Sequence, residues 1–207
     1  MTKKRKRRRR SRRQRVVMKI VKGLVIAVLI LGICAMGLWL LLDSRPEPAI
    51  QQYPVEYQDY ITACARENNI PPAYAAAVIL AESSYRPDAV SYADARGLMQ
   101  ILPSTGKWIA GKFDEDFSEE MLFDPHTNIK YGCWYLGFLM NRYGGDMRCS
   151  SSAYHAGQGN VDKWLKNPEY SADGAHLDVI PYESTDTYVN RILKYYEKYE
   201  EIYSEAN

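Results

Sequence analysis

A run of 20 residues without a charged side chain or a proline constrains this chain more than any other feature. The run, residues 23–42, reads GLVIAVLILGICAMGLWLLL. At a helical rise of ~1.5 Å per residue it would extend roughly 30 Å, the thickness of the hydrocarbon core of a bilayer. A buried helix that is apolar on all sides needs a larger protein around it than 207 residues provide. The run therefore predicts a single transmembrane helix.

Charges are distributed unequally on the two sides of this run. Thirteen of the 27 Lys and Arg residues lie between Lys3 and Lys22, a stretch with no Asp or Glu. From Pro46 onward, 13 Lys and Arg stand against 24 Asp and Glu, a formal charge of −11. Because basic flanks stay in the cytoplasm, residues 1–22 are predicted to be a cytoplasmic tail that contacts anionic lipids. A nucleic-acid-binding arm is the alternative, but the adjoining membrane span favours the topology signal, and we expect no nucleic-acid partner.

No small-residue cleavage site follows the run, so we interpret residues 23–42 as an uncleaved anchor. Residues 43–55, DSRPEPAIQQYPV, are predicted to form a polar, proline-containing linker. Residues 56–207 are predicted to form a single domain, which is long enough to bury a core without a metal or a disulfide. In this organisation a single-pass helix holds the domain at the outer face of the cell membrane.

The domain carries none of the motifs that indicate a metal, nucleotide or serine-hydrolase site. It has no GxSxG, no HExxH and no phosphate-binding loop, and its three His residues are far apart in the sequence. Cys64, Cys133 and Cys149 fit no zinc spacing and are predicted to be buried thiols, although the spacing leaves a Cys133–Cys149 pair open. We therefore expect neither a metal nor a cofactor.

Prolines and glycines mark the predicted helices of the domain. One helix opens at Pro71-Pro72, continues through AYAAAVILAE and stops before Pro87. The others are predicted from Pro103 to about Lys112, from Asp124-Pro125 to Gly144-Gly145, from Cys149 to Ala156, after an Asn160 cap, and from Thr187 to Tyr203. The last helix has a stripe that is typical of a core-facing side: Tyr188, Ile192, Tyr195, Tyr199 and Ile202. The sequence thus predicts a mainly α domain.

Glu82 closes the first of these helices, which is otherwise apolar. An acidic side chain there faces the negative end of the helix dipole, and apolar neighbours disfavour its charge, so both effects raise its pKa. A carboxyl group with a raised pKa can act as a general acid near neutral pH. From position alone a solvated surface glutamate is the commoner outcome, and both interpretations stay open at this point.

Five blocks of sequence follow one another from Glu82 onward. They are Glu82-Ser83 with Pro87 and Ala89; Gly97-Leu98-Met99-Gln100; Asp124-Pro125 with Asn128-Ile129, Gly132 and Tyr135-Leu136; Ala153-Tyr154-His155-Ala156-Gly157 with Gly159-Asn160-Val161; and Ile180-Pro181 with Glu183, Tyr188 and Val189. In these blocks the chain resembles the lysozyme-like domain of the soluble lytic transglycosylases, which share a fold with goose-type lysozyme. The resemblance covers roughly residues 56–200. It implies a mainly α, lysozyme-like domain behind the single transmembrane helix.

The resemblance further implies that Glu82 is the catalytic residue of a peptidoglycan lytic transglycosylase. In that family one glutamate protonates the oxygen that joins N-acetylmuramic acid to N-acetylglucosamine. The same glutamate then assists closure of a 1,6-anhydro ring, without a cofactor. The residues expected to bind or position the sugar are Ser83, Met99, Gln100, Tyr154, His155, Glu183 and Tyr188. For Glu183 and Tyr188, simple packing or helix capping is an equal alternative.

Two positions depart from the pattern of the family. His155 replaces the Asn of AYNAG, and Asp94 replaces the Gly that precedes A-x-GLMQ. We interpret His155 as a packed, hydrogen-bonded residue and Asp94 as a turn residue. Asp94 as a second carboxylate would instead favour hydrolysis of the lysozyme type. A further alternative is a non-catalytic scaffold that binds glycan strands and joins cell-wall machinery, which the sequence does not identify.

Overall fold

Helices dominate the part of the chain that the computed structural model describes, residues 52–205. In chain order they are α1 (Gln58–Glu67), α2 (Pro72–Ser83), α3 (Pro103–Ala110), the 3₁₀ helix η1 (Glu119–Phe123), α4 (Pro125–Arg142), α5 (Met147–Ala156), α6 (Gln158–Leu165) and α7 (Glu183–Glu205). Two isolated β-bridges occur in this range, and no strand. The predicted basic tail, transmembrane helix and first nine linker residues lie outside it. Across residues 52–205, none of the helices combines the length and the apolar character that crossing a membrane requires.

The buried centre of the domain is α2. Every residue from Ala73 to Ile79 is buried, so this helix is enclosed on all sides, which explains its uniformly apolar sequence. Pro72 occupies its first turn, where the missing N–H costs nothing, as the sequence predicted. The helix ends at Ser83, and the next residue, Ser84, adopts a left-handed conformation with φ 52°.

The stripe predicted on the last helix faces the core. Tyr188, Ile192 and Tyr199 are buried, and Tyr195 and Ile202 are partly buried against the same core. The helix α7 starts at Glu183, four residues before the predicted start at Thr187. Acidic side chains in this first turn suit the positive end of the helix dipole, which stabilises the additional turn.

The start of α6 was wrongly predicted. Asn160 lies inside α6 and does not cap it, because the residue before the helix is Gly157, with φ 85°. The side chain of Asn160 instead donates to the carbonyl of Ala156, at 2.8 Å. The neighbouring helix α5 does have a side-chain cap, since Asp146 accepts from the backbone N–H of Cys149 at 2.7 Å.

The three cysteines of the domain are free and buried, as predicted, so Cys133 and Cys149 are not paired. The packed part of the chain includes Tyr53, within the stretch 43–55 that the sequence assigned to the linker. The ring of Tyr53 is buried and meets Tyr199 edge to face, with centroids 5.9 Å apart. The hydroxyl of Tyr199 donates to the carbonyl of Pro54 at 2.8 Å.

Candidate active site

Glu82 lies in the last turn of α2, partly buried, and accepts a hydrogen bond from a single phenol. The hydroxyl of Tyr188, on α7, donates to its Oε1 at 2.6 Å. Burial raises the pKa of Glu82 to about 7, while the Tyr188 hydrogen bond and the positive charge of Arg191 act in the opposite direction. Near neutral pH this carboxyl group can therefore both hold a proton and release one.

The backbone turns sharply after Glu82-Ser83. Ser84 and Tyr85 both adopt positive φ, 52° and 61°, a conformation that is unfavourable for residues with a side chain. The ring of Tyr85 is buried, which holds this turn on the domain. Ser83 is itself buried, and its hydroxyl donates to the carbonyl of Ile79 at 3.3 Å. In this conformation the Ser83 hydroxyl bonds its own helix.

The loop that carries Gly97-Leu98-Met99-Gln100 is held by one buried amide. Asn128, on α4, accepts from the N–H of Met99 at 2.7 Å and donates to the carbonyls of Arg96 and Leu122 at 2.9 and 2.7 Å. Gly97, with φ 75°, leaves no room for a side chain, because a Cβ there would lie 2.2 Å from the carbonyl oxygen of Leu122. The glycine and the asparagine thus fix the backbone of this loop.

Met99 and Gln100 occupy this loop in different ways. Met99 is fully buried, with its thioether against Gly132 of α4. Gln100 adopts φ 47°, and its amide donates to the carbonyls of Ala89 and Gly97 at 3.1 and 3.0 Å. The side chain of Gln100 therefore ties the two ends of the loop together.

Two neighbouring residues of α5 complete the surroundings of Glu82. The hydroxyl of Tyr154 donates to the carbonyl of Met99 at 2.7 Å, and burial together with the charge of Glu82 raises the Tyr154 pKa well above its usual range. His155 is exposed; its Nδ1 lies 3.0 Å from Oγ1 of Thr185, and its ring stacks on Tyr188 with centroids 4.6 Å apart. These contacts agree with the interpretation of His155 as a packed, hydrogen-bonded residue.

Glu183 is placed differently from the other candidates. It is exposed at the first position of α7, five residues before Tyr188. Five residues on a helix correspond to about 140° of rotation, so the two side chains leave different sides of α7. Thr185, three residues before Tyr188, and Arg191, three residues after it, share its side of the helix. This spacing was a signal in the sequence that would have indicated both residues.

Asp94 is engaged by an arginine. Its two carboxylate oxygens accept from Nε and Nη2 of Arg96, at 3.0 and 3.2 Å, and the same guanidinium lies 2.7 Å from Glu119. Asp94 adopts φ 62° in an exposed loop, in agreement with the interpretation as a turn residue.

A small cavity of about 190 Å³ adjoins the tyrosines of the site. It is lined by Ser104, Thr105, Trp108, Tyr135 and Gln158. The ring of Tyr135 lies 5.4 Å from that of Tyr154, which connects the cavity with the surroundings of Glu82. Within residues 52–205 no group of three His, Cys, Asp or Glu side chains could hold a metal ion.

Known proteins are similar to this chain in sequence and in fold. The sequence model of the Transglycosylase SLT domain matches residues 59–176. The soluble lytic murein transglycosylase of Escherichia coli K12 is 35% identical over 148 residues, which cover 70% of this chain and 23% of that protein. Membrane-bound lytic murein transglycosylase C of Cronobacter sakazakii is 32% identical over 147 residues, 66% of this chain and 41% of the relative.

Solved structures to which this chain is similar also belong to lytic transglycosylases. An inactive mutant of the lytic transglycosylase Slt of Pseudomonas aeruginosa superposes with a TM-score of 0.67 at 29% identity, over 73% of this chain and 25% of that one. The 70 kDa soluble lytic transglycosylase of E. coli gives 0.65 at 32% identity, over 72% and 25%. The chain thus spans about a quarter of the length of the soluble lytic transglycosylases and 41% of that of the membrane-bound relative. The prediction of a mainly α, lysozyme-like domain is confirmed.

Proposed function

The chain belongs to the Transglycosylase SLT domain family, and from this premise we propose that it is a lytic transglycosylase that cleaves the glycan strands of peptidoglycan. The observation that carries the proposal is the state of Glu82. Its carboxyl group is partly buried, has a pKa raised to about 7, and accepts a hydrogen bond from Tyr188. One carboxyl group with this pKa can serve as the acid in one step and as the base in the next.

In the proposed reaction, protonated Glu82 donates its proton to the oxygen that joins N-acetylmuramic acid to N-acetylglucosamine. The bond from that oxygen to C1 of the muramic acid breaks, and the N-acetyl group of the same sugar stabilises the positive charge at C1. The Glu82 carboxylate then removes the proton from the 6-hydroxyl, whose oxygen bonds to C1 and closes a 1,6-anhydro ring. Tyr188 supports the middle of this sequence, because its hydrogen bond stabilises the ionised carboxylate. No water is consumed.

The remaining candidates are proposed to shape the sugar site around Glu82. Tyr154 stands beside the carboxyl group and would contact the acetamido group, with buried Met99 behind it. Gln100 would act through the loop that its amide ties together. The hydroxyl of Ser83 donates to the carbonyl of Ile79, so it would donate to a sugar only after that hydrogen bond breaks. Glu183 is the most remote proposal, since it leaves α7 on a different side from Tyr188.

The proposal includes attachment of the domain to the cytoplasmic membrane. Residues 1–22 would form a cytoplasmic tail on anionic lipids, residues 23–42 a transmembrane helix, residues 43–55 a linker, and residues 56–207 the exported catalytic domain. The support is the apolar run and the asymmetry of Lys and Arg around it. In addition, one relative, whose match covers 66% of this chain, is named a membrane-bound lytic murein transglycosylase. Any partner in cell-wall machinery is part of the same proposal and has no identified chemistry.

Product analysis separates this reaction from its alternatives. We expect the full chain in detergent micelles to release, from peptidoglycan, muropeptides that end in 1,6-anhydromuramic acid. Mass spectrometry would detect them as one water lighter than the products of hydrolysis. Glu82→Gln should release these anhydro products roughly 10³-fold more slowly while still binding glycan. A matched control is Glu169→Gln, which removes an exposed carboxyl group that makes no side-chain contact with the residues around Glu82 and should leave the products unchanged.

The other outcomes identify the other reactions. Reducing-end products would show hydrolysis of the lysozyme type and direct attention to Asp94, although both of its oxygens are bound to Arg96. Binding of glycan without any product, from the wild-type chain, would show a non-catalytic scaffold.

A further inference from the structure

We propose that His155 is a positioning residue, which holds Tyr188 against Glu82 and so fixes the catalytic carboxyl group. The inference rests on the proposed function for Glu82 and extends it to a residue at which this chain departs from the AYNAG pattern. In this role His155 acts through α7 and not by contact with the sugar.

His155 contacts two points on one side of α7. Its Nδ1 lies 3.0 Å from Oγ1 of Thr185, and its ring covers Tyr188 at a centroid distance of 4.6 Å with an interplanar angle of 28°. Thr185 and Tyr188 are three residues apart, so they are neighbours on the helix surface. Both are buried, at 1% and 3% exposure, whereas His155 lies at the exposed edge of the site. The imidazole therefore fixes the ring of Tyr188 from its open side.

The position of Tyr188 determines the position of the Glu82 proton. Its hydroxyl donates to Oε1 of Glu82 at 2.6 Å, across the interface between α7 and α2. The hydroxyl stands at the far end of a long side chain, so a small rotation of the ring lengthens or breaks this bond. An asparagine at position 155 could hydrogen-bond Thr185, but it has no ring to stack on Tyr188. The stacking contact is what this chain gains from histidine.

Partial burial and one neighbouring positive charge disfavour protonation of the His155 ring. Burial and the positive charge of Arg191, on α7, lower the pKa of His155 below its usual range. Arg191 also lies over the ring of Tyr188, at 5.7 Å from its centroid. The ionisable groups that face His155 are thus Arg191 and Tyr188 from α7, with Glu82 of α2 reached through Tyr188. Protonation of His155 at lower pH would place a second cation beside Arg191 and disturb the stack.

The first test is the kinetics of the full chain on soluble, peptide-bearing glycan oligomers. His155→Asn should lower kcat roughly 10-fold with KM nearly unchanged, because a displaced catalytic group affects the transition state more than binding. Thr185→Val, which keeps the size of the side chain and removes its hydroxyl, should lower kcat by a smaller factor. His126→Asn is the matched control, since His126 is an exposed histidine that contacts Tyr60, outside the site, and should change neither constant. A rise in KM with unchanged kcat for His155→Asn would overturn the proposal in favour of a sugar contact.

The second test does not depend on turnover. In the full chain, the Glu82 carboxyl resonance can be identified by its absence in Glu82→Gln and titrated by ¹³C NMR. With His155→Asn its midpoint, about 7 in the native chain, should rise by roughly half a unit, because a weaker Tyr188 bond stabilises the ionised form less. An unchanged midpoint would overturn the proposal. If the wild-type chain releases no anhydro products, the proposed function fails, and the titration still decides the role of His155.

Discussion

Acidic groups lie at both ends of α2, in opposite settings. At its C-terminal end a single carboxyl group, that of Glu82, is partly buried and bonded to Tyr188. Beside its N-terminal end, at Pro71–Ala73, lies a wider groove of about 970 Å³. Four exposed carboxylates line that groove: Asp59, Glu197, Glu200 and Glu201. The larger cavity and the larger number of acids are therefore at the end away from Glu82, the proposed catalytic residue.

Burial, and not the number of carboxylates, distinguishes the two ends. The pKa of Glu82 is raised mainly because water is excluded from its carboxyl group. In the groove the acids meet water and exposed partners, such as Lys198, whose Nζ lies 2.8 Å from Glu201. Tyr196 even donates to Glu200, which reproduces the phenol–carboxylate pair of the site at an exposed position. A phenol next to a carboxylate is thus not enough to raise the pKa of the acid, and at Glu82 the shielding from water raises it.

The largest expected effect is that of removing the shielded acid. Glu82→Gln should lower the rate of product formation by roughly 10³-fold, because general acid–base catalysis by a single group contributes about that much. Glu197→Gln, at the other end of α2, should leave the rate within the error of the assay. Equal reductions of the rate by both substitutions would contradict the distinction between the two ends of α2.

The second effect is on stability and depends on pH. The folded-state pKa of Glu82, about 7, lies above its ordinary value of 4.5, so folding is favoured by the protonated form. This contribution is complete below about pH 4.5 and is lost as the pH rises through about 7. The free energy of unfolding of wild type relative to Glu82→Gln should fall by on the order of 3 kcal/mol from about pH 4 to about pH 8. Urea unfolding of both chains measures it; a difference that does not change with pH would contradict the burial of Glu82.

The third effect tests the close packing of Gly132 against Met99, whose carbonyl accepts from Tyr154 near Glu82. Gly132→Ala would place a Cβ 2.1 Å from the sulfur of Met99, so we expect a loss of about 2 kcal/mol in the free energy of unfolding. Gly159→Ala is the control, because no atom lies within 4 Å of the added Cβ and a helix favours alanine. Thermal unfolding of the two variants compares them. Equal losses would show that the Gly132 contact is not the cause.

The smallest effect concerns the phenol. Tyr188→Phe removes the bond that stabilises ionised Glu82, so the pKa of Glu82 should rise and the alkaline limb of kcat/KM should move to higher pH. The maximum rate should fall about 10-fold, as expected for a lost hydrogen bond to a charged group. Tyr196→Phe, which breaks the exposed pair with Glu200, should leave the profile in place. A shift in both variants would remove the distinction between the two ends.

Local signals in the sequence predicted the helices that position the site. Pro72, Pro103 and Pro125 each open a helix at the predicted place, because proline fixes the backbone of a first turn at no cost. The raised pKa of Glu82 agrees with the prediction from its apolar neighbours, whereas its catalytic role was inferred from the resemblance and stays a proposal. Asn160 was wrongly predicted as a cap because Asn is a preferred capping residue. The helix instead begins two residues earlier, after Gly157, and the Asn160 side chain bonds the carbonyl of Ala156.

Contacts between distant helices could not be predicted in the same way. The stack of His155 on Tyr188 joins α5 to α7, and the bond from Tyr188 to Glu82 joins α7 to α2, across 106 residues of sequence. No periodicity within one helix fixes which face meets which partner. The surroundings of Glu82 likewise include Tyr188 of α7, which is distant from it in sequence.

The packing of Tyr53 limits how far from the membrane the proposed tethered enzyme could act. Because Tyr53 is held on α7, only residues 43–52 remain between the predicted end of the transmembrane helix and the packed domain. Ten residues in full extension cover at most about 35 Å. Strands of the wall farther from the membrane than that distance plus the size of the domain would be out of reach. The distance of a glycan strand from the membrane, and not only its chemistry, would then decide whether it is cut.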